Sequence, residues 1–196
     1  MNFTHFTEKK AAQLLATQSR RADINAITLC DIHVEMGKFI AYEMLEEFEL
    51  TTIDIQHVQG IKSGVDIANK DKIVILPLMR AGLYAAEGIR SVFVDSHFIV
   101  ADEITKTTYD FTNQTIIIVD AVINTGKSIE NVLHTLLAFN VNKIIVVTLI
   151  LQKEALQLIR KYPTISFYAL RISENKYVGT KGTDTGNRLF NTKKNI

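Results

Sequence analysis

The chain has 196 residues, 47% hydrophobic and 22% charged, with 22 Lys and Arg against 21 Asp and Glu. This length and apolar content predict one domain with a buried core and exclude a disordered chain. A formal net charge of +1 gives no field for non-specific nucleic-acid binding. The one cysteine, Cys30, excludes an internal disulfide, and no Cys/His spacing of a structural zinc site occurs. Residues 1–10 lack the regions of a signal peptide, and no apolar run approaches the roughly 18 residues of a membrane span. A soluble, cytoplasmic protein without membrane or nucleic-acid partners is expected.

In chain order, residues 1–60 read as a mostly helical N-terminal part. Within 22–48 there is no proline, Gly37 is the lone glycine, and Leu29, Ile32, Met36, Phe39 and Ile40 recur at helical spacing. Asp23 is the expected N-terminal cap. From 61 to 172 the texture changes. Short β-rich runs at 73–76, 98–101, 115–119, 144–151 and 165–170 alternate with helical patterns at 81–90, 126–139 and 152–161. The second helix is the clearest, with Ile129, Val132, Leu133, Leu136 and Leu137 on one face. Strands apolar on both faces, alternating with helices, predict an α/β fold with a parallel sheet covered on both sides. Residues 173–196 break the pattern, with Gly179, Gly182 and Gly186 among threonines. They read as a functional loop or a frayed tail.

Residues 116–128 run Ile-Ile-Ile-Val-Asp120-Ala-Val-Ile-Asn-Thr125-Gly-Lys-Ser128 and join a buried strand to the best helix. Ligands of α/β sheets bind at such carboxyl ends. Thr125, Gly126, Lys127 and Ser128 would offer amides and hydroxyls at a helix N-terminus, which suits a phosphate. Asp120 closes the strand, where an unpaired core carboxylate would be costly, and can accept hydrogen bonds from sugar hydroxyls. One reading is a nucleoside-triphosphate P-loop, since residues 121–128 nearly fit G-x-x-x-x-G-K-[ST], with Ala121 in place of the first glycine.

A second reading fits more of the chain. Strand–Asp–x–x–x–x–Thr–Gly–x–Ser–helix resembles the phosphoribosyl-diphosphate (PRPP) motif of type I phosphoribosyltransferases. Leu76-Pro-Leu-Met-Arg80-Ala-Gly-Leu83 resembles the pyrophosphate loop of uracil phosphoribosyltransferases, whose PRPP motif also has a single acid. Tyr177, Val178, Asp184, Gly186, Arg188, Phe190 and Thr192 match the C-terminal signature of that family, and the stretch from Arg20 or Arg21 to Tyr42-Glu43 resembles its first long helix.

The resemblance implies a parallel-sheet type I phosphoribosyltransferase fold in a single domain over 1–196, and transfer of phosphoribosyl from PRPP to uracil or a related pyrimidine with release of pyrophosphate. It implies PRPP contacts from Arg80, Asp120, Ala121, Val122, Ile123, Asn124, Thr125, Gly126, Lys127, Ser128 and Asp184, with Arg80, Asp120 and Asp184 in catalysis. Tyr177, Val178, Thr183, Asp184 and Thr185 would contact the base. Magnesium would arrive with PRPP, with no protein ligand assigned, and the protein would be a homodimer or larger. The family carries a non-proline cis peptide in the pyrophosphate loop, so Met79–Arg80 is expected to be cis. Its flap arginine has no counterpart here. Lys106 could supply that cation or be a solvated loop lysine. Thr180, Lys181, Thr183 and Asn187 depart from the C-terminal signature, which leaves the base open. A non-catalytic sensor of PRPP or nucleotide is the competing class.

Overall fold

A computed structural model of the chain describes residues 2–100, 104, 107–175 and 183–192. In chain order the elements are β1 (Phe3–His5), α1 (Lys10–Arg20), α2 (Ala26–Glu43), β2 (Leu50–His57), β3 (Gly60–Ile67), β4 (Ile73–Pro77) and α3 (Leu83–Arg90). There follow β5 (His97–Phe98), β6 (Thr115–Ile123), α4 (Lys127–Leu136), β7 (Lys143–Gln152), α5 (Leu156–Lys161), β8 (Ser166–Ser173) and α6 (Thr185–Leu189).

The continuous apolar runs become the centre of one sheet, in the order β1-β8-β7-β6-β4-β5, and every pairing in it is parallel. Ile73 to Pro77 in β4 and Thr115 to Val119 in β6 are buried throughout, as a strand needs when helices lie on both sides. On one face Met36 and Ile40 of α2 and Ala85 and Ile89 of α3 pack on Ile75, Ile117 and Val119. On the other, Ile129, Leu133 and Leu136 of α4 and Ile159 of α5 pack on Ile116, Ile118 and Val146. The expected doubly covered parallel sheet is therefore present. Among the described residues no helix is long and apolar enough to cross a membrane.

The elements differ from expectation in instructive places. The N-terminal part is not simply helical. Three residues of β1 are too few to show a period, and they form a strand because the free edge of β8 offers them a parallel ladder, Phe3 to Phe167. Residues 50–67 form an antiparallel hairpin, Leu50 opposite Ile67 and His57 opposite Gly60, separate from the sheet. Its β-branched residues favour strand over helix. Asn25, not Asp23, caps α2, accepting the Thr28 N–H at 2.8 Å, whereas Asp23 is held by Arg21. The run at 98–101 is reduced to His97–Phe98 among the described residues. The helix expected from 152 begins at Leu156, because β7 continues to Gln152 and a single tight turn follows.

Candidate functional site at the carboxyl ends of the strands

Asp120 does not end its strand. β6 continues to Ile123, paired with β7 through Val122–Ile150 and Ile123–Leu151. The loop before α4 is thus only Asn124, Thr125 and Gly126. That shortness excludes the P-loop reading, in which the segment from 121 would have to leave the sheet and wrap a β-phosphate. Gly126 takes φ +83°, a conformation that side chains resist, and turns the chain directly into α4. Gly126 has no side chain to cap α4; the Lys127 N–H donates to Thr125 Oγ1 at 3.5 Å, and the first-turn amides sit at the positive end of a ten-residue helix. Thr125 and Ser128 are exposed beside them. The Asn124 Oδ1 is buried without a partner, the kind of orphan that a ligand donor would satisfy.

Asp120 itself is half-buried. Burial pushes its carboxyl up to about 7, against the pull of the Val122 and Ala121 N–H groups. A carboxyl poised there can accept hydrogen bonds from a diol and gains charge readily when a cation approaches.

A second loop meets this one. β4 lies beside β6, and beyond Pro77 the Leu78 N–H donates to the Val119 carbonyl at 2.8 Å. The Met79–Arg80 peptide is cis, as expected from the resemblance. Gly82 passes so close to β6 that a Cβ there would lie 2.2 Å from the Val119 oxygen. This approach holds Arg80 beside the end of the Asp120 strand.

The Arg80 guanidinium is exposed and reaches the C-terminal segment. Nη2 donates to Asn187 Oδ1 at 3.0 Å, Nη1 to Thr192 Oγ1 at 3.4 Å, and the group lies 5.4 Å from the Phe190 ring centre. No carboxylate among the described residues pairs with it. Asn187 stands where the resembling signature has an acid, so its amide holds Arg80 without neutralising it. Asp184 accepts the Asn187 N–H at 2.8 Å and caps α6. One of its oxygens is thereby committed to positioning the segment that holds Arg80.

The structure thus brings Arg80, residues 120–128, Asp184 and Thr185 to the carboxyl edge of the sheet. Lys106, Tyr177 and Val178 lie outside the described residues, as does Lys181. Thr183 is exposed at the start of the segment that α6 continues. Between α1, α2, the ends of β6 to β8 and α6 lies a cavity of about 240 Å³, with Ala121, Val122 and Thr185 in its wall. A larger cavity, of about 510 Å³, opens at the opposite end of the sheet by Ile73, Thr115 and Lys143, away from the strand ends where α/β sheets bind ligands. His33 of α2 is 5% exposed, stands in the smaller cavity's wall, and has a buried Nδ1 without partner. Nothing in one dimension separates it from a core histidine on the apolar stripe of α2.

A doubly covered parallel sheet with an acid in the carboxyl part of a central strand and a short Thr-Gly turn into the next helix is the fold of the type I phosphoribosyltransferases. Comparison with known proteins agrees. The family model for uracil phosphoribosyltransferase matches residues 6–192, and the chain belongs to that family. It is 28% identical to the uracil phosphoribosyltransferase of Malacoplasma penetrans, over 90% of this chain and 93% of that one. Among solved structures, the AQ2163 protein of Aquifex aeolicus superposes with a TM-score of 0.80 at 22% identity, covering 96% of this chain and 97% of the other. Adenine phosphoribosyltransferase of Leishmania tarentolae shares the fold more distantly, with a TM-score of 0.59 at 12% identity over 88% and 92% of the two chains.

Proposed function

We propose that this protein is a cytoplasmic enzyme that transfers phosphoribosyl from PRPP to uracil or a closely related pyrimidine, releasing pyrophosphate and forming the nucleotide. The observation that carries this reading is Asp120 in the carboxyl part of β6, with the α4 N-terminus following it in the chain and the loop of Arg80 leaving the neighbouring β4. The 5′-phosphate would lie on the amides of 125–128, the ribose hydroxyls on Asp120 and the diphosphate by Arg80. Departure of pyrophosphate leaves an oxocarbenium-like C1′, as in other glycosyl transfers. Arg80 suits the leaving group because its planar fork meets phosphate oxygens bidentately. No cluster of three metal-binding side chains occurs among the described residues. That donor set fits a magnesium ion held mainly by phosphate oxygens and water. When bound, it would neutralise charge on the diphosphate.

The test is pyrophosphate release from PRPP with uracil. Steady turnover is expected, with Arg80→Lys lowering kcat/KM by about 10-fold or more. PRPP binding by calorimetry without turnover on any nucleobase would instead identify a sensor.

The protein is further read as a homodimer or larger assembly. On the hairpin β2–β3, Leu50, Ile61 and Val65 are exposed on one face and Ile55 on the other, more bare apolar surface than a lone arm retains in water. Ile61→Lys with Val65→Lys is expected to reduce the mass measured by light scattering to that of one chain. An unchanged mass would show that the arm is not the contact.

A further inference from the structure

Arg80, which the reading above sets at the leaving diphosphate, is an exposed side chain on a loop. A long side chain left free in water samples many rotamers, and binding a ligand must fix one of them. In this fold the guanidinium is fixed beforehand, and by the C-terminal segment.

Nη2 donates to Asn187 Oδ1 at 3.0 Å and Nη1 to Thr192 Oγ1 at 3.4 Å. The Thr192 hydroxyl donates in turn to Asn187 Oδ1 at 2.9 Å, and the Thr192 N–H to the Asn187 carbonyl at 3.1 Å, so the two acceptors are locked to each other. The Phe190 ring lies 5.4 Å from the guanidinium and is itself backed by Tyr84, at 5.5 Å between ring centres. Of the five N–H donors of an arginine, two are used here and three remain for a ligand. Gly186 keeps room beside them: a Cβ there would stand 3.9 Å from Nε, 3.8 Å from Nη2 and 3.2 Å from Asp184 Oδ1.

Both acceptors are uncharged, an amide and a hydroxyl. A carboxylate at 187 would give Arg80 the same hydrogen bond, but it would cancel the guanidinium charge at contact distance and repel an incoming diphosphate. The cap of α6 uses the backbone N–H of residue 187, which Asp184 accepts at 2.8 Å, so a change of the 187 side chain leaves that cap in place.

We propose that Asn187 and Thr192 are positioning residues for phosphoribosyl transfer, which aim Arg80 at the leaving diphosphate through uncharged acceptors and so leave its full charge to that group. The assignment rests on the phosphoribosyl-transfer reading for the identity of the leaving group. It gives the substitution of Asn187 for the acid of the family signature a consequence, a tighter hold on the diphosphate half of PRPP than an acid at this position would permit.

The test uses the whole chain and two probes titrated by calorimetry, inorganic pyrophosphate with magnesium and ribose 5-phosphate, of which only the first would meet Arg80. Asn187→Asp is expected to weaken pyrophosphate about 10-fold, because the new carboxylate competes for the guanidinium, and to leave ribose 5-phosphate unmoved. Thr192→Val should weaken pyrophosphate several-fold, on the scale of one lost neutral hydrogen bond, and Thr192→Ser should restore it. A thermal melt of each variant shows that it is folded. No binding of pyrophosphate to the wild type, an unchanged pyrophosphate affinity in Asn187→Asp, an equal loss for both probes, or a Ser variant no better than Val would each overturn the proposal. Pyrophosphate release from PRPP with a panel of nucleobases reads the transfer reaction separately. Turnover in the wild type with pyrophosphate affinity unmoved by the substitutions would sink only this inference. The expected shifts in pyrophosphate affinity without turnover on any base would support the positioning of Arg80 and overturn the transfer.

Discussion

Asp120→Asn is expected to give a protein that is more stable than wild type above pH 7 and yet inactive. The sign follows from the direction of the shift. A carboxyl raised from its ordinary 3.8 to about 7 in the fold stays protonated there while the unfolded chain has already ionised. Stability is therefore full below about pH 4 and falls as pH rises toward 7. Above that the ionised group costs the fold at most about 4 kcal/mol, at about 1.4 kcal/mol for each tenfold change in acidity. Asparagine keeps an acceptor for the Val122 and Ala121 amides and removes the charge. Relief of even half that cost would lift Tm by about 4–8 °C in a chain of this size. The same substitution removes the charged acceptor proposed for the ribose hydroxyls, so PRPP affinity and turnover should collapse. Melts at pH 5 and pH 8 check the first half, and calorimetry with PRPP checks the second. An Asn variant with no gain at pH 8, or with unchanged PRPP affinity, would refute the corresponding half.

Gly82→Ala is expected to act in the opposite sense and lose both stability and turnover. The added Cβ would stand 2.2 Å from the Val119 oxygen and 2.9 Å from the Leu78 oxygen, both backbone atoms of a stitched turn. Backbone cannot swing aside as a side-chain tip does, so the loop must lift from β6. Overpacking of this kind costs about 1–3 kcal/mol or more. The lift also displaces Arg80 from the edge where Asp120 stands, so pyrophosphate release should fall further than stability alone explains. Urea unfolding alongside steady-state kinetics separates the two effects. A variant with wild-type midpoint and rate would show that the approach is not tight in solution.

Much of this architecture is legible from residue order, for a physical reason. A central parallel strand must be apolar on both faces, and Ile73 to Leu76, Thr115 to Val119 and Ile144 to Leu151 announce themselves that way. Asp120 is legible because a carboxylate interrupting such a run needs an explanation, and Gly126 because it precedes an amphipathic helix. What failed depends on partners distant in the chain. β1 exists only by virtue of the β8 edge. The hairpin turns at Val58 and Gln59, neither a habitual turn former, so only the φ of +104° at Gly60 betrays it, and that is not visible in one dimension. Asp23 and Asn25 are both good caps, and which of them serves is decided when Arg21 captures the first. The cavity is the least legible of all, because α1, α2, β8 and α6 contribute one arginine or histidine each and no stretch contains them together.

The pairing of β1 with β8 also constrains how the protein comes into being. Phe3 to His5 are exposed to the translation machinery's exit long before Phe167 to Ala169, their ladder partners, have been joined to the chain. Until then the first strand has no mate, and Ser19 and Arg21 wait equally for the guanidinium of Arg188. The sheet can grow outward from β4, β6 and β7 during synthesis, but its last edge and the cavity wall close only when residues 3–5 meet residues 167–169, a contact of high sequence separation and hence a slow one. A substitution that breaks the β1 ladder would act on that closure and, through β8, on the wall that carries Arg171. The amino-terminal strand and the cavity wall are thus governed by the same seam.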